Sequence, residues 1–259
     1  MQFPVYVTAG PLRIHPHLAF EATAYVVGFS VYLALRRRYG DPARDQVRWW
    51  VIAAAAAGAS VGSRLLASLE NPRLLLNPST APAALLGGKT IIGGLIGGLI
   101  AVEWTKGRMG ETQRTGDLFA VPLAVGIAIG RIGCFLTGLD DGTYGNVTSL
   151  PWGVDFGDGM RRHPTQLYEV LFCIALAVFL WRLMRRPHMQ GDVFKVFVVG
   201  YMGWRFAVDF LKPGVALAGL TTLQWACIGM LVYYARDIAR WLGYVTDAPR
   251  VAEIESRNT

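Results

Sequence analysis

The chain predicts an all-α polytopic membrane protein, and three observations carry that expectation. Hydrophobic residues make up 53% of the 259 residues and charged residues only 17%, with a mean hydropathy of +0.35, outside the usual range of a soluble domain. The apolar residues fall in blocks of about 20, the length a helix needs to cross about 30 Å of hydrocarbon. The basic residues cluster at alternate ends of those blocks, which is a topology signal. For that reason the net charge of +7 does not suggest a nucleic-acid partner. The three cysteines, Cys134, Cys173 and Cys227, lie in apolar runs without CxxC spacing, so the sequence suggests neither a disulfide framework nor a metal.

Seven spans follow in order: Leu18–Leu35, Trp49–Leu69, Ala83–Trp104, Leu118–Gly138, Gln166–Met184, Val193–Leu211 and Leu220–Arg240. The first apolar run lacks the basic flank of a cleavable signal peptide and is expected to remain as a span. Arginines 36, 37, 38, 44 and 48 follow the first span, and Lys106, Arg108 and Arg114 follow the third. Arg182, Arg185 and Arg186 follow the fifth, and Arg236 and Arg240 sit at the end of the seventh. By the positive-inside rule these segments are cytoplasmic, which puts the N-terminus outside and the C-terminus inside. The whole chain then reads as one integral membrane domain, with an ordered outer loop inserted at about residues 139–165.

Small residues recur four apart at Gly58 and Gly62, Gly93 and Gly97, Gly94 and Gly98, and Gly126 and Gly130. This spacing lets helix backbones approach closely in lipid, and tight packing within one bundle is the expected use. Gly93 and Gly94 are also expected to leave room for a bulky ligand beside the third span.

Depth supplies the functional inference. Under this topology Glu21, Arg64, Lys89, Arg131, Glu169, Arg205 and Asp209 all lie toward the outer ends of their spans, while the inner halves hold few charges. Ionisable residues inside a membrane are costly and mark functional sites, so a shared polar cavity near the outer surface is expected. Guanidinium matches phosphate bidentately and stays charged. Arg131 and Arg205 therefore point to a phospholipid headgroup, with Arg64 and Lys89 as further cations. Tyr201, one turn before Arg205, is placed to donate to the same ligand. No cofactor is called for, the phospholipid being a substrate.

Four segments then resemble the prolipoprotein diacylglyceryl transferase family, and the likeness extends over most of the chain. GRIGCFLTG (Gly130–Gly138) is similar to the family's signature, with Arg131 in the place of its essential arginine. RHPTQLYE (Arg162–Glu169) and GYMGWRFAVDF (Gly200–Phe210) match two further patterns, the second placing Tyr201, Arg205 and Asp209 on functional positions. GASVGSRL (Gly58–Leu65) resembles the second-span pattern, with Arg64 as its arginine. The resemblance implies a bacterial inner-membrane enzyme with its active site toward the outer leaflet. Such an enzyme moves the diacylglyceryl group of phosphatidylglycerol to the lipobox cysteine of a prolipoprotein signal peptide and releases glycerol 1-phosphate.

The departures fall on the acceptor side. The family's span-three histidine is Ile92, its signature asparagine is Cys134, and Leu139 replaces a glutamate. A base is then expected among Glu21, His163, Asp140 and Asp141. Two other readings stay open on the same fold: a non-catalytic phospholipid-binding protein, or a transferase with another acceptor. A transporter is disfavoured because no inverted repeat is visible.

Overall fold

The computed structural model describes residues 3–9, 12–70, 79, 87–214 and 217–243. Eight α-helices dominate these residues: α1 (Pro16–Tyr39), α2 (Asp45–Leu69), α3 (Ile91–Arg108), α4 (Asp117–Thr137), α5 (Thr165–Met184), α6 (Asp192–Asp209), α7 (Thr222–Tyr233) and α8 (Ala235–Trp241). Among the described residues four segments are long and apolar enough to cross a membrane: α1, α2, α5, and α4 with the 3₁₀ turn Gly138–Asp141 that extends it. The chain is a helical, polytopic membrane protein. Large apolar side chains such as Val26, Ile100 and Leu171 face outward, as a surface surrounded by hydrocarbon requires and one surrounded by water does not.

The remaining expected spans differ in detail. The expected start of the third span, Ala83, lies outside the described residues, and α3 begins at Ile91 because Thr90 caps it, its hydroxyl accepting from Gly93 N at 3.2 Å. The expected seventh span is divided at Tyr234 into α7 and α8, although Ile238 N still donates to Tyr234 O at 3.0 Å. The start of α7 carries a capping box between Thr221 and Gln224.

Helices α2 and α3 form a tight pair. A Cβ on Gly93 would collide with the carbonyl of Gly62, and one on Gly97 with that of Gly58. The small-residue spacing is thus used for close packing inside one chain. Gly93 serves this crossing, so the expectation that it leaves room for a ligand is corrected. Gly94 meets only ordinary contacts at Ala59 and Ser63 and lines the cavity described below.

The loops expected to be cytoplasmic are tied together at one end of the bundle. Arg48 is fully buried, paired with Asp41 and donating to Thr115 O at 3.2 Å, which fastens the α1–α2 connection to the start of α4. Asp117 opens α4 and accepts from Gly191 N (2.6 Å) and Phe194 N (2.9 Å), satisfying free amides at the start of α6. At the opposite end lie two short hairpins, β1 (Val7–Ala9) with β2 (Leu12–Ile14) and β3 (Val154–Asp155) with β4 (Arg161–Arg162). The first was not foreseen, since three-residue strands leave little periodicity to read. Phe3, Phe135 and Phe156 pack together between the N-terminal segment, α4 and the loop that follows it, with centroids 5.2–5.8 Å apart.

Candidate active site

The last two turns of α4, the first turn and a half of α5 and the last turns of α6 converge at the hairpin end of the bundle. Arg131 and Arg205 meet there on one carboxylate, that of Glu169. Glu169 Oε2 lies 2.9 Å from Arg131 Nε and 3.2 Å from Arg205 Nη1, and Oε1 accepts from the Tyr201 hydroxyl at 2.6 Å. Glu169 and Tyr201 are fully buried and the two arginines nearly so. A buried carboxylate without partners would be prohibitive; hydrogen bonds from Tyr201 and Arg205 and the charge of Arg131 beside it make it tolerable, and it in turn holds the two guanidinium groups together. Arg205 Nη2 lies 3.6 Å from Asp209 Oδ1, and the Thr221 hydroxyl donates to Asp209 Oδ2.

Charge bookkeeping decides what this cluster can bind. Arg131, Arg205 and Glu169 together carry one net positive charge. Asp209 is offset by Lys212 only when that lysine is protonated. Lys212 follows α6, and burial together with the neighbouring Arg205 and Arg131 pushes its ammonium down to about 7. The cluster therefore matches a single phosphodiester anion, and Arg205 Nε remains buried without a hydrogen-bond partner.

Both arginines open onto a cavity of about 2070 Å³ that runs between the α2–α3 pair and the α1–α4 pair. That is about twice the upper end of ordinary small-molecule pockets, ~1,000 Å³. Its walls are apolar in the middle, with Ala55, Ala59, Leu95 and Leu99 among the lining residues; Glu21, Arg64, Lys89, Arg131, Asp209 and Lys212 line the hairpin end, and Glu103, Lys106, Arg114 and Lys195 line the opposite end. The apolar middle has room for acyl chains behind a headgroup held at the arginine end.

Most of the sequence-predicted residues reach this cavity. Glu21 is held by Lys89 Nζ at 3.4 Å and by the Tyr25 hydroxyl at 3.3 Å. Asp141 is drawn inward, its carboxylate 3.2 Å from His17 Nδ1 and accepting from the Thr143 hydroxyl, while Asp140 stays exposed at the rim. Two residues differ from expectation. Tyr201 spends its hydroxyl on Glu169 behind the arginines. His163 does not line the cavity; its Nδ1 faces the Tyr168 hydroxyl at 3.2 Å, and its backbone pairs with Gly145 and Asn146, so it anchors the loop between α4 and α5. Ile92, at the position of the resembled family's histidine, is 1% exposed and packs in the core.

The sequence places Glu169 in the polar cluster but gives it no role, and nothing in it singles out His17. The signal for Glu169 was an acid inside an apolar run behind two arginines of other spans. His17 has no such signal, because it stands at the head of its span beside Pro16 and looks like a capping residue.

A family model described as prolipoprotein diacylglyceryl transferase matches residues 4–236. The phosphatidylglycerol–prolipoprotein diacylglyceryl transferase of Bordetella bronchiseptica is 33% identical over 247 residues, covering 88% of this chain and 91% of its own. The protein of the same name from Pseudomonas paraeruginosa is 31% identical over 241 residues, covering 88% and 87%. That from Solidesulfovibrio magneticus is 33% identical over 244 residues, covering 88% of each. With the paired arginines, the signature segment around Arg131 and a match over nearly the whole length, the chain is a transferase and belongs to the prolipoprotein diacylglyceryl transferase family.

Proposed function

We propose that this protein transfers the diacylglyceryl group of phosphatidylglycerol to the lipobox cysteine of a prolipoprotein signal peptide, releasing glycerol 1-phosphate. The observation that carries the reading is the convergence of Arg131 and Arg205 on Glu169 at one end of a large cavity with an apolar middle. In the displacement, sulfur attacks C3 of the diacylglyceryl group and the C3–O bond to phosphate breaks. The phosphodiester monoanion becomes a monoester with a second ionisable oxygen, so negative charge grows on the phosphate as the reaction proceeds. Guanidinium groups fixed by Glu169 beforehand bind that developing charge more strongly than the ground state, which is what accelerates a reaction. Arg64 and Lys89 lie along the same cavity and steer the headgroup toward the pair.

The membrane arrangement we propose has seven spans, with α7 and α8 together forming the last, the N-terminus outside and the C-terminus cytoplasmic. The site then faces the outer leaflet of a bacterial inner membrane, where a translocated lipobox emerges. The basic clusters near Arg36, Lys106, Arg185 and Arg240 support this orientation. Labelling an Asp158→Cys variant with an impermeant thiol reagent in intact cells tests it, and protection until lysis would reverse the orientation.

The function itself is tested by mass spectrometry of a lipobox peptide incubated with the purified protein and phosphatidylglycerol. The expected product carries one diacylglyceryl thioether, with glycerol phosphate released in equal amount. Tight lipid binding without turnover would instead favour a non-catalytic lipid-binding role.

A further inference from the structure

The lipid half of the site accounts for Arg131, Arg205, Glu169 and Tyr201 but leaves a second group at the cavity mouth unused. His17 stands in the first turn of α1, Cys134 in the last turn of α4 and Asp141 at the end of the 3₁₀ turn. One potential ligand atom of each lies within 4.8 Å of the others. His17 Nδ1 and Asp141 Oδ1 are 3.2 Å apart. Two ligands at about 2.0–2.2 Å on one tetrahedral metal are separated by about 3.3–3.5 Å, so this spacing already suits a shared ion.

We propose that His17, Cys134 and Asp141 bind a zinc ion whose fourth position takes the acceptor thiol. This rests on the acyl-glyceryl transfer to a cysteine argued above. One nitrogen, one sulfur and one oxygen ligand favour a thiophilic ion such as zinc over magnesium or calcium, and three protein ligands with one open position are the pattern of catalytic zinc. The surroundings are those of a metal centre. With Nδ1 toward the ion, His17 Nε2 faces Glu21 Oε2 at 3.7 Å, and Glu21 is itself held by Lys89 and Tyr25. The hydroxyl of Thr143 holds Asp141. Carboxylates and hydroxyls behind the ligands orient them and raise their basicity.

Electrostatics permits an ion here despite the arginine beside it. Arg131 Nη1 is 3.9 Å from Cys134 Sγ, but thiolate and carboxylate neutralise a divalent ion, and Arg131 is paired with Glu169. A second thiolate gives the centre one negative charge next to that guanidinium. The arrangement also sets nucleophile and electrophile side by side, because Arg131 lies between the metal ligands and the phosphate cluster. In the step, the acceptor thiol loses its proton on coordination, and its sulfur forms the bond to C3 as the C3–O bond breaks. The electron pair of that bond leaves with the phosphate, and the released phosphate monoester takes up the proton. Zinc thus supplies the thiolate that Ile92, in place of a titratable side chain, cannot help to generate.

The test uses the full chain in detergent without a histidine tag. Zinc should be retained at about one ion per chain. Cobalt in its place should show thiolate-to-metal charge transfer that changes when a lipobox peptide is added. Chelation should lower turnover by at least about 100-fold, restored by zinc. Cys134→Asn and His17→Gln should each weaken metal binding by about 10–100-fold, in the range for loss of a supporting group or more; chelation of the unmutated protein keeps the test independent of how these variants fold. Full turnover after chelation, with no metal above background, would overturn the proposal while leaving the transferase reading intact. Stoichiometric metal lost on substitution of Cys134, with a peptide-sensitive cobalt spectrum but no transfer to phosphatidylglycerol's acceptor peptide, would support the metal site and sink the transferase reading instead.

Discussion

Replacing Glu169 with glutamine should reveal the paired arginines as a stored positive charge. The carboxylate is fully buried, accepts from Tyr201 and Arg205 and balances the charge of Arg131. Glutamine keeps the shape but offers one acceptor oxygen, and its NH₂ group must face one of the former donors. Two guanidinium groups are then buried with little compensation. Breaking a buried ion pair from one side costs about 3–5 kcal/mol, and about 2–4 °C is lost per kcal/mol in a chain of this size, so the apparent unfolding midpoint in neutral detergent should fall by roughly 6–20 °C. An anionic ligand should repair part of this. At about 100 times its Kd a ligand restores roughly 2.7 kcal/mol, and phosphatidylglycerol should raise the midpoint of Glu169→Gln by more than it raises that of the unmutated protein. The assay is a thermal unfolding series followed by intrinsic fluorescence, with phosphatidylglycerol or the zwitterionic phosphatidylethanolamine added. A midpoint within 2 °C of the unmutated protein, or equal rescue by both lipids, would refute the idea that Glu169 balances arginines meant for a phosphate.

Further outcomes follow from the same geometry. Arg131→Ala or Arg205→Ala should lower kcat by about 10²–10³-fold, the usual loss for a fixed donor to developing charge, and lysine at either position should restore only part of it; product-forming assays in detergent check this. Affinity for phosphatidylglycerol, measured by lipid titration, should weaken as pH rises through about 7, because Lys212 then loses the charge that offsets Asp209, and Lys212→Met should flatten that dependence. The ligand-free protein should show the opposite trend: an unfolded lysine holds its proton to about 10.4, so the unfolded state binds more protons between about pH 7 and that value and the folded state gains stability there. Gly93→Ala should cost about 1–3 kcal/mol by driving α2 and α3 apart, read as a lower unfolding midpoint, since its Cβ has backbone on one side and Leu66 on the other.

Much of the site was legible because membranes make charge expensive. Arg131 and Arg205 announce themselves inside apolar runs, and the alternation of spans brings both to one end of the bundle. Glu169 was harder to read because an acid in the first turns of a span looks like a helix-start residue whether it caps or pairs. Tyr201 was assigned to the ligand because spacing shows which face a residue shares but not which partner gets there first. Gly93 and Gly94 are neighbours with opposite uses, one under the α2–α3 crossing and one on the cavity wall, and only the rotation of α3 separates them. His17 and Asp141 are brought together by a turn far from the first helix in sequence, so no local pattern reports their meeting.

Asp209 illustrates how a membrane enzyme can entangle activity with assembly. Its carboxylate touches Arg205 on one side, and on the other it takes the hydroxyl of Thr221, the residue whose side chain also caps α7. The last helical hairpin is thereby fastened to the group that tunes the headgroup cluster. An inactive Asp209 variant would be ambiguous on its face, since a frayed final helix and a mistuned arginine give the same blank assay. The two causes part company at Thr221: Thr221→Val removes the fastening yet leaves every charge in place. Any activity that variant retains measures how far the enzyme can tolerate a loose last helix while its charges remain correct.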